Sequence, residues 1–215
     1  MVINIPPEHD NKLIIENYLE GITHLLEDVT TESILKYTQE NTLGGWEDHG
    51  DNWATGRREL KVLYFLIRFL KPKSILEIGT HRGHGLSHIL QAAKLNEDEG
   101  FPCQVTTLDI VKNNLDENTN IKEFNRIIGP AQAYLKTTWD HDFIVQDGDH
   151  TPGGVLSELS LMKANGSVKW LWAHDYFLHG KRIGKAIEGL PNNYFEASQP
   201  FIEEAYQAGF FVAKF

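Results

Sequence analysis

Two short stretches carry the side chains best suited to chemistry: Asp147-Gly148-Asp149-His150 and His174-Asp175-Tyr176. Each follows an apolar run, Asp142 to Val145 and Val168 to Ala173, that reads as a buried strand. Both tails therefore stand at strand ends. Neighbouring parallel strands lie about 4.8 Å apart, so carboxylates at their ends can share one ion. Oxygens from Asp147 and Asp175 suit a hard divalent cation such as Mg²⁺. An imidazole from His174 beside them suits Mn²⁺ or Fe²⁺ as well. His150 follows Asp147 at a distance of three residues. Its ordinary pKa near neutrality fits it to take a proton from a substrate hydroxyl. A solvated loop residue is the plain alternative for either histidine alone; two strand-terminal aspartates beside them favour a working site.

A third stretch runs from Ser74 to Gly85. Ser74 to Ile78 is a short apolar run after Pro72, broken by glycines, and Leu86, Ile89 and Leu90 then recur at helical spacing. A strand, a glycine-rich turn and a helix in that order let backbone approach a ligand closely and aim free helix N–H groups at it. A dinucleotide-binding turn has G-x-G-x-x-G spacing. Here Glu77 precedes Gly79, and Gly83 and Gly85 follow, giving E-x-G-x-x-x-G-x-G. This pattern resembles the first motif of class I S-adenosylmethionine (SAM)-dependent methyltransferases. The next strand, Gln104 to Ile110, ends at Asp109, where a carboxylate can accept both hydroxyls of a ribose. The acid at the matching place in those enzymes does so for the ribose of SAM. The resemblance implies a SAM site made from Glu77, Gly79, Thr80, Gly83, Gly85, Asp109, Gly129, Ala131 and Asp147.

D-G-x-H after one strand and His174-Asp175 after the next resemble a narrower group. It comprises the metal-dependent small-molecule O-methyltransferases, grouped with sugar and macrolide-sugar O-methyltransferases and cephalosporin hydroxylase-like proteins. The likeness covers about Leu60 to Asp175, as motifs. It implies that Asp147 and Asp175 hold Mg²⁺ and that His150 is the base, while His174 joins the metal set on the chemistry of its imidazole alone. At position 174 the family commonly has an acid, and this chain departs from it. The activity implied is methyl transfer from SAM to a small hydroxylated substrate, sugar- or catechol-like, whose vicinal hydroxyls would chelate the metal. A metal-dependent hydroxylase on the same scaffold, a nicotinamide enzyme and a non-catalytic SAM-binding subunit are the rival readings.

The elements that must position these residues alternate. A helix over Gly56 to Leu70 precedes the glycine motif. Helices are also expected near Gly85 to Leu95, Leu115 to Phe124, Ala131 to Lys136, Pro152 to Lys163 and Lys181 to Leu190. Strands are expected over Asn125 to Ile128, Tyr194 to Ser198 and Phe210 to Phe215, besides those above. Such alternation predicts an α/β, Rossmann-like doubly wound sheet, mostly parallel, with an antiparallel C-terminal strand. Ligands bind such sheets beyond the carboxyl ends of the strands. Glu77, Asp109, Asp147 and Asp175 all fall there and would repel one another unless something cationic sits among them. Residues 1–55 read as an N-terminal helical cap, with helices over 11–28 and 31–40 and a glycine-rich loop carrying Trp46 and Trp53 as a candidate lid. Residues 56–215 read as the α/β domain.

The 215 residues fit one domain with a substantial core. A formal net charge of −10 argues against nucleic acid or an anionic membrane as the main partner. No apolar run reaches membrane-spanning length, and no leader-like N-terminus stands out, so a cytoplasmic location is the expectation. The single cysteine, Cys103, excludes an intrachain disulfide and reads as core packing. The N-terminal helices could serve homo-oligomerisation as readily as substrate capture.

Overall fold

Period-two alternation in the strands builds two cores, one on each face of a single sheet. The computed structural model describes residues 3–4, 21–22, 24–27, 29–30, 36–37, 57–115, 117–198, 200–202 and 209–215. The strands are β1 (Ile3–Asn4), β2 (Ser74–Ile78), β3 (Gln104–Asp109), β4 (Asn125–Ile128), β5 (Phe143–Gln146), β6 (Trp170–His174), β7 (Glu196–Ala197), β8 (Phe201–Ile202) and β9 (Phe210–Lys214). The helices are α1 (Arg57–Leu70), α2 (His84–Asp98), α3 (Ala131–Leu135), α4 (Pro152–Asn165) and α5 (Leu178–Glu188). The sheet order is β1-β8-β9-β6-β5-β2-β3-β4, with β7 also paired to β9. Strands β4, β3, β2, β5 and β6 are mutually parallel, and β9 runs antiparallel to β6, as expected. From β2 the chain moves outward to β3 and β4, then returns to β5 on the other side. That reversal opens a crevice at the carboxyl ends of β2 and β5.

Ile75, Val105, Phe143, Val145, Trp172, Phe210 and Val212 face the core beneath α1 and α2. Leu76, Ile78, Leu108, Ile144, Leu171, Ala173 and Phe211 face the core that includes Val155 and Leu159 of α4 and Ile183 of α5. Every second residue thus changes face, which is what a strand covered on both sides requires. Glu77, Asp147 and His174 share the parity of the α1/α2 face. Helix α1 is braced to α2 by the buried Arg68, which donates to Asn96 Oδ1 and to Glu99 Oε1 (2.9 Å), while Asn96 donates to the Ile67 carbonyl (2.8 Å).

Ile22, Leu25, Leu26 and Tyr37 are buried in the α1/α2 core. Most of the expected helices over 11–28 and 31–40, and the whole Trp46/Trp53 loop, lie outside the described residues. The helix expected from Leu115 to Phe124 is only a 3₁₀ turn, Glu117–Ile121. Asn113, Asn114, Thr119 and Asn120 supply short polar side chains that compete for backbone hydrogen bonds. Cys103 is buried, and burial pushes its thiol up to about 12, so it packs rather than reacts. No helix among the described residues is long and apolar enough to cross a membrane.

Candidate active site

The register of β5 and β6 pairs Gln146 with Ala173, so Asp147, just past the end of β5, and His174, the last residue of β6, stand side by side. His174 Nδ1 lies 3.0 Å from Asp147 Oδ1 and 3.1 Å from Asp175 Oδ1. Asp175 takes φ 61°, a left-handed conformation that aspartate tolerates better than most residues. That turn leaves its carboxylate between the two histidines: Oδ1 toward His174, and Oδ2 paired with His150 Nδ1. Beyond His150, Asp149 Oδ1 accepts from the Thr151 N–H (2.8 Å), and Thr151 Oγ1 caps α4 by accepting from Gly154 N–H (3.1 Å). The DGDH tail is thereby anchored to the start of a helix. A Cβ at Gly154 would fall 1.8 Å from Asp149 Oδ2, so the anchor requires glycine there.

Glu59, in the first turn of α1, completes the cluster. Its Oε2 lies 2.7 Å from His174 Nε2, and its carboxylate is fully buried. The His174 ring stacks on Trp172 (centroids 5.6 Å apart, planes at 11°), and Trp172 stacks on Phe210 (5.3 Å). His174 therefore stands among three carboxylates. Burial works against its charge, but Asp147 and Glu59 more than offset this and raise its pKa well above the ordinary value. Burial likewise opposes ionisation of Asp175, yet hydrogen bonds from His150 and His174 hold it well below the usual carboxylate range. The hydrogen bond to Asp175 is the main cause that raises His150. The strand-end acids thus shift both histidines toward their protonated forms.

The glycine motif forms the adjoining wall. At Gly79 (φ 95°) a Cβ would stand 2.0 Å from the carbonyl oxygen of Asp147. Main chain packs on main chain there, held by Gly79 N–H to Leu108 O and Asp147 N–H to Ile78 O, both 2.8 Å. At Gly83 (φ 88°) the turn into α2 passes over Thr119, and at Gly85 a Cβ would meet Glu77 Oε1 at 3.1 Å. Glu77 lies buried under the turn, its Oε2 accepting from Thr107 Oγ1 (2.5 Å), and Thr80 Oγ1 hydrogen-bonds Thr107 Oγ1. Asp109 is half-buried; its Oδ2 accepts from His81 N–H (2.7 Å) and its Oδ1 from Val111 N–H (3.0 Å). Each oxygen keeps acceptor capacity.

Leu60, Leu63, Glu77, Gly79, Thr80, His81, His84, Gly85, Val145, Asp147 and Trp172 line a small cleft of about 40 Å³. Of the residues expected to hold a cofactor, Glu77, Gly79, Thr80, Gly85 and Asp147 share its wall. Gly83 sits behind them in the turn, while Asp109 caps the loop at its His81 end. Gly129 and Ala131 stand farther along the sheet edge, after β4 and at the start of α3. Among the described residues the Trp172 indole N–H, buried in the wall, has no hydrogen-bond partner, and neither has Glu59 Oε1. Such atoms await a ligand group or are costly.

Glu59 escaped the reading of the sequence, as did Leu60 and Leu63 as cleft walls. An acid in the first turn of a helix ordinarily marks its solvated start. The signal present was spacing: Glu59, Leu63, Leu66 and Ile67 share one helical face, so a charge stands on the buried stripe.

Burial pushes Glu77 up to about 8 and Glu158, which accepts from Gln146 and Gln132, up to about 7. Both begin from an ordinary 4.5, so in that window the folded chain binds more protons than the unfolded one. Stability is then fully present below about 4.5 and is lost as pH rises through about 7 to 8. Glu158→Gln is expected to remove on the order of 3 kcal/mol of that decline. Denaturant titrations of both forms at about pH 5 and about pH 8 check this; parallel declines would refute it.

No protein-family model matches the sequence, and no curated protein matches it. Solved structures do match. An O-methyltransferase from Bacillus cereus in complex with SAH is 17% identical, covering 94% of this chain and 97% of its own, with a TM-score of 0.54. A methyltransferase from Geobacter sulfurreducens is 16% identical, covering 98% of each chain, with a TM-score of 0.57. The O-methyltransferase TomG from Streptomyces achromogenes, in complex with SAM, is 17% identical over 75% of this chain and 81% of its own, at 0.54. The chain has the fold of the class I SAM-dependent methyltransferases.

Proposed function

We propose that this protein is a SAM-dependent, divalent-metal-dependent O-methyltransferase acting on a small hydroxylated substrate of the sugar or catechol type. One observation carries the reading: His150, Asp175, His174 and Asp147 converge beside a glycine-walled cleft at the switch point of the sheet. SAM, when bound, supplies an electrophilic methyl group on a positively charged sulfur. The Gly79 backbone, Asp109 and the Trp172 N–H, without a partner among the described residues, offer the close approach, the acceptors and the donor that such a polar cofactor needs. The SAM and SAH named for the Streptomyces and Bacillus proteins support the same cofactor here.

Ligand atoms of Asp147, His174 and Asp175 lie within 4.8 Å of one another, a mixed oxygen and nitrogen set that fits a divalent cation. Asp147, His174 and Asp175 would hold such a cation, which would supply Lewis acidity toward a substrate oxygen. His150, tied through Nδ1 to Asp175, presents Nε2 as the base for the substrate hydroxyl. The acidic cluster then has two tasks, holding the cation and orienting the base, and the hydrophobic wall of Leu60 and Leu63 excludes water.

Calorimetric titration of the purified protein with SAM and with NAD, with and without Mg²⁺, Mn²⁺ or Fe²⁺, is the first test. SAM binding without NAD binding, then metal-stimulated transfer of labelled methyl to catechol or a sugar diol, is the expected result. A folded sample that binds no SAM under any condition overturns the proposal. Oxygen consumption with Fe²⁺ and no methyl transfer would favour a hydroxylase.

A further inference from the structure

We infer that Glu59 is a positioning residue that sets the orientation and tautomer of His174 for the cation; the inference rests on the metal reading above. A fully buried carboxylate is costly unless paired, and the partner of Glu59 is His174 Nε2 at 2.7 Å. That bond takes one end of the imidazole. The ring lies flat on Trp172, and its other nitrogen, Nδ1, then faces oxygens of Asp147 and Asp175 at 3.0 and 3.1 Å. A carboxylate on the far nitrogen holds the proton at Nε2 and leaves the Nδ1 lone pair for an ion. Without the acceptor, the ring can turn over and present a donor to the site instead.

The anchor itself is rigid. Glu59 belongs to a helix braced through Arg68 to α2, the helix that opens from the glycine motif. One helix pair therefore supports the cofactor turn and the nitrogen ligand together. A nitrogen in the donor set moves preference away from Mg²⁺ toward Mn²⁺ or Fe²⁺, and Glu59 makes that nitrogen available.

The test measures Mn²⁺ binding by the electron paramagnetic resonance of free Mn²⁺, with and without SAM, in the wild-type chain and in Glu59→Leu and Glu59→Gln. Leucine is expected to weaken Mn²⁺ binding about 10–100-fold, while glutamine, whose amide oxygen still accepts from Nε2–H, stays within about threefold. SAM affinity measured by calorimetry is expected to be unchanged in both. If the leucine chain does not fold, Glu59→Asp, which withdraws the carboxylate by one methylene, takes its place with the same expected loss. Wild-type Mn²⁺ affinity in the leucine or aspartate form overturns the inference. So does a glutamine form no better than leucine, or a parallel loss of SAM affinity, which marks a merely structural role. A wild-type chain that binds SAM but no Mn²⁺ overturns the metal reading itself, and the role of Glu59 with it.

Discussion

Turnover is expected to fall about 10²–10⁴-fold when His150 is replaced by glutamine, the range that a positioned general base contributes. The geometry selects the nitrogen. Nδ1 is engaged by Asp175 Oδ2, and the side chain is 46% exposed, so Nε2 is the atom that can meet an incoming hydroxyl. Glutamine approximates the size of the imidazole and still hydrogen-bonds Asp175, but it accepts no proton at neutral pH. Binding of SAM and of the cation should therefore survive while the chemical step does not. Single-turnover rates with labelled SAM, beside calorimetric affinities, separate the two. A rate loss under about tenfold would remove His150 from the role of base.

Gly79→Ala is expected to destabilise the chain by about 3 kcal/mol or more and to abolish SAM binding. Two independent causes act at this position. The backbone is at φ 95°, where an L side chain is strained, and the new methyl group would stand 2.0 Å from the Asp147 carbonyl oxygen and 2.9 Å from the Gly148 nitrogen. Those atoms are main chain, so no rotamer change relieves the overlap. Either the glycine turn or the Asp147 tail must move, and with it the cleft wall or the acidic cluster. Thermal denaturation and calorimetry check the prediction. Wild-type stability with SAM affinity intact would mean that the two strand ends do not pack as described. Gly153→Ala is a suitable control, since its backbone is not in the positive-φ region and nothing among the described residues lies within 4 Å of the Cβ it would carry.

Gly79 and Glu59 mark the two limits of what can be read from residues in a row. The glycine motif was legible because a backbone turn is local: an apolar strand, glycines at fixed offsets and an apolar helical repeat suffice to announce it. Asp109, Asp147, His150, His174 and Asp175 were legible for a related reason. Each ends or follows a strand, and a parallel sheet brings its carboxyl ends to one edge whatever the order of its strands. The 3₁₀ turn at Glu117–Ile121 was misread because Leu115 and Phe124 suggested helical burial, whereas Thr119 and Asn120 between them favour local hydrogen bonds.

From the chain alone came the doubly wound α/β class, the glycine turn and the set of strand-end acids and histidines, since strand periodicity and turn chemistry are properties of neighbouring residues. Only the tertiary structure decided which partners those groups face. Strand order placed β6 against β5, register set Asp147 beside His174, and the packing of α1 over that face brought Glu59, 115 residues away, to His174 Nε2. Helix spacing marks Glu59 as facing inward, but which strand end lies beneath it depends on the sum of many weak packing contacts across the sheet.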